Sequence, residues 1–147
     1  MKATELLKKQ HREVESLFAK VLKTDDAKDR KKLATEITSK LEGHTTIEEE
    51  IFYPAYREAS NTQKGEDLVL EAYEEHHVVK LVLGELPKVN ASAENFKAKM
   101  TVLKELIEHH VEEEEEEMFP DAEKKLGKDR LEVLAEEMDK RAAQFAH

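Results

Sequence analysis

The sequence predicts an all-α protein, an up-down-up-down four-helix bundle with an additional C-terminal helix. Three observations carry this. Apolar residues recur at helical spacing in five stretches. Helix-favouring Leu, Ala, Glu and Lys dominate, while Gly and Pro number only four and three. Short segments carrying breakers or capping residues separate the stretches. At 147 residues the chain has the size of one domain, able to bury roughly two-thirds of the surface its unfolded form exposes.

The first helix runs from about Thr4, a plausible N-cap with acidic Glu5 behind it, to about Leu22, and Thr24-Asp25-Asp26 ends it. The second runs from about Ala27 through Tyr53 and Pro54 toward Ala59, with Ser60-Asn61-Thr62 as its loop. The third covers roughly Gly65 to Leu86 and is closed by Pro87. The fourth starts near Ser92 or Ala93 and reaches Phe119-Pro120. Pro54 and Pro120 are expected to end or kink their helices. A fifth helix, from about Lys128 after Gly127 to about Phe145, is expected to pack across or along the outside. The chain thus reads as a single domain over 1–147, with the bundle at about 4–121 and the extra helix at about 128–146.

The formal net charge of −10 repels nucleic-acid phosphate and anionic lipid, so neither is an expected partner. There is no cysteine, which removes disulfides, thiolate-held zinc and iron–sulfur sites. The N-terminal stretch has no apolar signal-like core, and no apolar run is long enough for a bilayer. The expectation is a cytoplasmic protein, a monomer or weak homodimer.

The chain repeats itself. His44, Glu48, Tyr53 and Pro54 match His110, Glu114, Phe119 and Pro120 at a constant offset of 66. One helix earlier, His11, Val14 and Phe18 match His76, Val79 and Leu83 at an offset of 65. Each half reads as a helical hairpin with one histidine on its first helix and His-x-x-x-Glu on its second. These residues share the apolar seams. Leu7, His11, Val14, Phe18 and Val21 line one helix; Ile37, Leu41, His44, Glu48, Ile51 and Ala55 the next; Val69, Ala72, His76, Val79, Leu83 and Leu86 the third; and Leu103, Ile107, His110 and Glu114 the fourth.

Four imidazoles and two carboxylates in a bundle interior would each lose solvation worth about several kcal/mol if left unpaired. Bound cations remove that penalty. His and Glu at i and i+4 lie on one helix face, so a histidine can hold one ion while the carboxylate bridges two. The predicted ligands are therefore His11, His44, Glu48, His76, His110 and Glu114. Nitrogen and oxygen donors without sulfur suit Fe, Mn or Zn. Structural zinc sites are normally mononuclear, tetrahedral and closed, so two groups of ligands fit a dinuclear site better, and iron fits best. The Glu-x-x-His order of ferritin-like di-iron bundles occurs only at Glu74 and His77, off the seam.

The run Leu41-Glu42-Gly43-His44-Thr45-Thr46-Ile47-Glu48-Glu49-Glu50-Ile51-Phe52-Tyr53-Pro54, together with His11, His76, and His110-x-x-x-Glu114 ending in Met118-Phe119-Pro120, resembles the hemerythrin-like HHE cation-binding family over roughly residues 4–121. The resemblance implies a four-helix bundle around two non-haem iron ions, oxo- or hydroxo-bridged. Oxygen-carrying hemerythrins have five histidines and an Asp; four histidines and two glutamates are closer to family members associated with iron-centre repair and iron sensing. Fewer histidines imply a more open iron, suited to O2, peroxide or nitric oxide, or to metal exchange. Enzymatic turnover as a peroxidase, catalase-like or NO-reducing protein, and an iron-responsive regulatory module, are the alternatives.

Other residues have plainer readings. His77 and His109 sit off the seam and are expected to be solvated or to support ligands, and His147 is terminal. The Glu112–Glu117 run reads as a solvated face from which only Glu114 turns inward. Tyr53, Tyr56 and Phe119 read as packing residues, with a phenol near metal as the sharper option. Leu7, Phe18, Ile51, Val79 and Ile107 are expected to wall the pocket with apolar surface.

Overall fold

In the computed structural model, which describes residues 1–145, every long element is a helix and no strand occurs among the described residues. Helix α1 spans Ala3–Lys23, and α2 spans Ala27–Ile47. A π-helical turn at Glu48–Phe52 joins α2 directly to α3, Tyr53–Ser60. Helix α4 covers Gln63–Glu85 and closes in a 3-10 turn at Leu86–Lys88. Helix α5, Glu94–Glu113, runs through a second π turn, Glu114–Met118, into α6, Phe119–Ala142, and a last 3-10 turn, Ala143–Phe145. Taken together, α1, α2 with α3, α4, and α5 with the start of α6 are the four rods of the bundle. His147 lies outside the described residues.

The caps explain where the rods begin. Asp26 accepts from the Asp29 amide (3.0 Å) and Thr62 accepts from the Gly65 amide (3.1 Å), each satisfying an otherwise orphaned donor of the first turn. Thr4 is not a cap. Lys2 takes that position, its amide donating to Glu5 (2.8 Å), while the Thr4 hydroxyl is buried and donates to Glu123 (2.9 Å).

Neither Pro54 nor Pro120 ends its helix; each follows a π turn and the chain stays helical beyond it. In the first turn the Tyr53 amide reaches back five residues to the Glu48 carbonyl. The next bond in that series would run from residue 54 to the Glu49 carbonyl, and proline has no N–H to make it. The Tyr73 hydroxyl donates to that carbonyl instead (3.3 Å). A π turn also inserts one residue into the helical phase. The seam expected to continue through Ile51 and Ala55 is therefore rotated. Those two residues are only half-buried, and Phe52, Tyr53 and Tyr56 are fully buried in their place. Met118, Phe119 and Ala122 do the same in the second half.

The fourth rod ends at Gly127, whose φ of 79° and ψ of 164° break α6 into two segments. That conformation is open essentially to glycine alone. The second segment folds back along α1 and α2, burying Leu131, Leu134, Ala135 and Met138 against Ala3, Leu6 and Leu7. Two apolar cores result. One contains Leu7, Ile47, Phe52, Tyr53 and Phe119; the other contains Val14, Phe18, Ile37, Leu41, Val79 and Leu103. Between them the seam positions hold polar residues.

Candidate metal centre

That intermediate layer consists of His11 from α1, His44 and Glu48 from the second rod, His76 from α4, and His110 and Glu114 from the fourth, each no more than 6% exposed. All six predicted residues point inward and meet. His11, His44, Glu48 and Glu114 offer donor atoms within 4.8 Å of one another, as do Glu48, His76 and His110. Glu48 belongs to both groups. Its Oε1 is 3.2 Å from His44 Nε2 and 3.1 Å from His76 Nε2. Glu114 Oε1 likewise lies 3.2 Å from His11 Nε2 and 3.3 Å from His110 Nε2.

Proximity here is not satisfaction. His11 Nε2, His44 Nε2, both oxygens of Glu48 and Oε1 of Glu114 are buried without a hydrogen-bond partner. Each such group costs about 1–3 kcal/mol, and more when charged. Five on one spot, aimed at each other, is the arrangement that bound cations relieve, and imidazole with carboxylate is a donor set for Fe, Mn or Zn.

The other ring nitrogen of every histidine is tied down. His11 Nδ1 donates to Glu115 (2.7 Å), His44 Nδ1 to Gln10 (2.6 Å), His76 Nδ1 to Glu49 (2.8 Å) and His110 Nδ1 to Glu75 (2.7 Å). Because carboxylate and amide oxygens only accept, each Nδ1 carries a proton and each Nε2 faces the centre, so that its lone pair, once unprotonated, has the orientation a metal-binding histidine needs. None of these four acceptors was expected from the sequence pattern. Their signal was adjacency: each precedes or follows a proposed ligand, and Glu49 and Glu115 repeat at the offset of 66. Glu115, read as part of a solvated run, is also held by Arg12.

Tyr53 is the second addition. Its fully buried hydroxyl donates to Glu114 Oε2 (2.6 Å) and lies 3.3 Å from His76 Nε2 and 3.2 Å from His110 Nε2. Burial, followed by the charges of Glu114 and Glu48, pushes its pKa well above the usual phenol value, so without metal it is a proton donor. At the matching place in the second half, Phe119 stacks on His11 at 5.9 Å. Tyr56 is a packing residue whose hydroxyl donates to Asp121 (2.6 Å).

The ionisation of the layer is mutually set. Burial opposes the charged form of Glu48, yet the facing histidines, His44 foremost, outweigh it and hold the carboxyl well below its usual range. Burial likewise opposes imidazolium at His11, His76 and His110, and the carboxylates of Glu114, Glu48 and Glu114 respectively outweigh it, raising all three. His77 and His109 are exposed, the latter 3.0 Å from Glu113 on the outer surface.

On one side of the layer lies a cavity of about 20 Å3, walled by Val14, Leu41, Val79, Ile107 and Val111. Val79 and Ile107 were expected there. Leu7 and Phe18 belong to the flanking cores, and Ile51 is turned away by the π turn.

Residues 2–122 match the hemerythrin HHE cation binding domain family. The fold is similar to the crystal structure of a hemerythrin HHE cation binding domain-containing protein from Mycobacterium kansasii, with a TM-score of 0.84 and 28% identity, covering 99% of this chain and 87% of that one. In sequence the chain is 26% identical over 137 residues to a protein of Nostoc sp. described as a DNA nickase, covering 93% of this chain and 38% of the relative. It is 25% identical over 121 residues to an uncharacterized hemerythrin-like protein of Schizosaccharomyces pombe, covering 82% of this chain and 59% of the relative. The chain thus spans less than two-thirds of either curated relative.

Proposed function

Since the chain belongs to the hemerythrin HHE cation-binding family, we propose that it is a non-haem di-iron protein whose two ions are held by His11, His44, Glu48, His76, His110 and Glu114 and which reacts with or senses O2, peroxide or nitric oxide, or handles iron. One observation supports this most: five partnerless donor atoms face each other in a layer where every histidine is already oriented by a fixed Nδ1 acceptor. Two donor groups sharing Glu48 suit a pair of ions better than one closed tetrahedral zinc. Iron bound there would supply redox and Lewis-acid chemistry.

The chain's own contribution is charge, orientation and exclusion. Glu48 and Glu114 place negative charge between the two histidine pairs. The apolar wall beside the histidines admits one small molecule, since about 20 Å3 is room for roughly one water. The Tyr53 hydroxyl belongs to the opposite core and does not line that cavity; it holds a proton next to His76 and His110 on the other face of the centre. That hydroxyl favours a second reading, catalytic turnover of peroxide. DNA is not proposed as a substrate, because a net charge of −10 repels phosphate.

The test mixes iron-loaded protein with O2, hydrogen peroxide or NO, each separately, and follows absorbance and reagent consumed. A spectral change with at least one of them is expected. Consumption far beyond one equivalent would establish turnover, and Tyr53→Phe is then expected to slow it by about 100-fold, the scale of a lost general acid. Loaded protein inert to all three would remove the small-ligand reading and leave only iron handling.

A further inference from the structure

The two halves of the bundle repeat the ligands faithfully but not what stands behind them. At the offset of 65 that relates His11 to His76, Gln10 corresponds to Glu75. Each accepts the Nδ1 proton of the histidine on the neighbouring rod, Gln10 from His44 (2.6 Å) and Glu75 from His110 (2.7 Å). One acceptor is a neutral amide and the other a carboxylate. The histidine pair His76 and His110 is therefore backed by two carboxylates, Glu49 and Glu75, whereas His11 and His44 are backed by one carboxylate and one amide. The second broken pair is Tyr53 and Phe119. A phenol oxygen lies beside His76 and His110, and an apolar ring lies beside His11.

Both differences act in the same direction. A carboxylate behind a ligating histidine raises its basicity, and losing such a partner typically weakens metal affinity by about 10- to 100-fold. A nearby oxygen donor adds to this. One effect opposes them: metal at His76 and His110 displaces the contact between their two Nε2 atoms (3.1 Å) and those with the Tyr53 hydroxyl, whereas His11 Nε2 and His44 Nε2 have no partner to lose, and each net hydrogen bond is worth roughly twofold to tenfold in an equilibrium constant.

The surroundings differ as well. Beside Gln10 and His44 a cleft of about 530 Å3 opens between α1, α2 and the end of the C-terminal segment, with Glu13, Lys40 and Phe145 along it. Gly43, at its floor, leaves the space that Phe145 fills, since a Cβ there would come within 3.3 Å of that side chain.

From this asymmetry we infer that the two metal positions are unequal: His76 and His110 hold the resident ion, and His11 and His44 hold the exchangeable one, with Gln10 the positioning residue that keeps it labile. The inference rests on the two-ion reading above. It identifies one position for exchange with a free metal pool and one for retention.

Protein loaded anaerobically with ferrous iron and mixed with excess ferrous chelator tests it. Release is expected in two phases, one ion each, with rates up to about tenfold apart, because Gln10 orients His44 but lacks the charge that raises its basicity. Gln10→Glu is expected to slow the fast phase by up to about tenfold and leave the slow one, while the converse Glu75→Gln accelerates the slow phase by a similar factor and leaves the fast one. Two ions leaving wild type in a single phase, or Gln10→Glu changing only the slow phase, would overturn the inference while leaving the two-ion reading intact. Uptake of fewer than two ions by wild type would overturn both.

Discussion

Glu48→Ala is expected to strip both ions from the protein, not one. Glu48 is the residue common to both donor groups, it is completely buried, and neither of its oxygens has a hydrogen-bond partner. On the two-ion reading, removing it would take a donor from each position and the negative charge that lets two cations sit close together. Loss of an outer partner alone costs about 10- to 100-fold in affinity, and loss of a shared ligand should exceed that at both positions. Iron content after reconstitution and desalting is the measurement. His44→Ala, which touches one group, is expected to leave about one ion, and Ile51→Ala, on a side chain rotated off the seam, to leave the content unchanged. Glu48→Ala retaining iron like wild type would contradict the assignment of this residue.

Metal removal is expected to have the next largest effect, on stability. A ligand bound only by the folded chain at a thousandfold excess over its Kd stabilises by about 4 kcal/mol. A chain of about 150 residues shifts its Tm by roughly 2–4 °C per kcal/mol, so chelation should lower Tm by on the order of 10 °C or more. The effect should depend on pH with a definite sign. In the metal-free protein the raised pKa values of His11, His76 and His110 mean that protonation favours folding. That contribution is complete below the unfolded value of about 6.5 and disappears as pH rises through the folded values. Metal needs those nitrogens unprotonated, so the loaded protein gains over the same range. The gap between the two melting curves should therefore widen as pH rises above about 6.5. Melting temperatures that ignore chelator, or that move in parallel with pH, would count against metal at these histidines.

The four rods and the six inward residues were legible because both are periodic. Each histidine sits in an apolar stripe, and each His-x-x-x-Glu keeps its two side chains on one helix face. Where the period breaks, the sequence pattern no longer places side chains. The π turns advance the phase by one residue after Glu48 and Glu114, which replaces Ile51 with Phe52 and Tyr53 and brings a phenol into the centre. A period-based argument has no means of placing such a turn, although the proline that follows each one, at residues 54 and 120, marks where it occurs. The acceptors behind the histidines were hidden for a different reason. Gln10, Glu49, Glu75 and Glu115 sit one residue from a seam position, where a helix presents its flank, and flanking charges are usually solvated. Only the tertiary packing of a neighbouring rod turns them into partners, as when Glu115 of the fourth rod meets His11 of the first. Gly127 was read as a boundary before the last helix, and its positive φ is what allows that helix to fold back.

The central proposition is that this buried layer holds a pair of iron ions. Elemental analysis of the wild-type protein after aerobic purification and ferrous reconstitution, combined with its near-ultraviolet spectrum, tests it most directly. Two iron ions per chain with the absorption of a coupled ferric pair is the expected result. A chain that stays metal-free after reconstitution, or that carries a single zinc ion and takes up no iron, would contradict it.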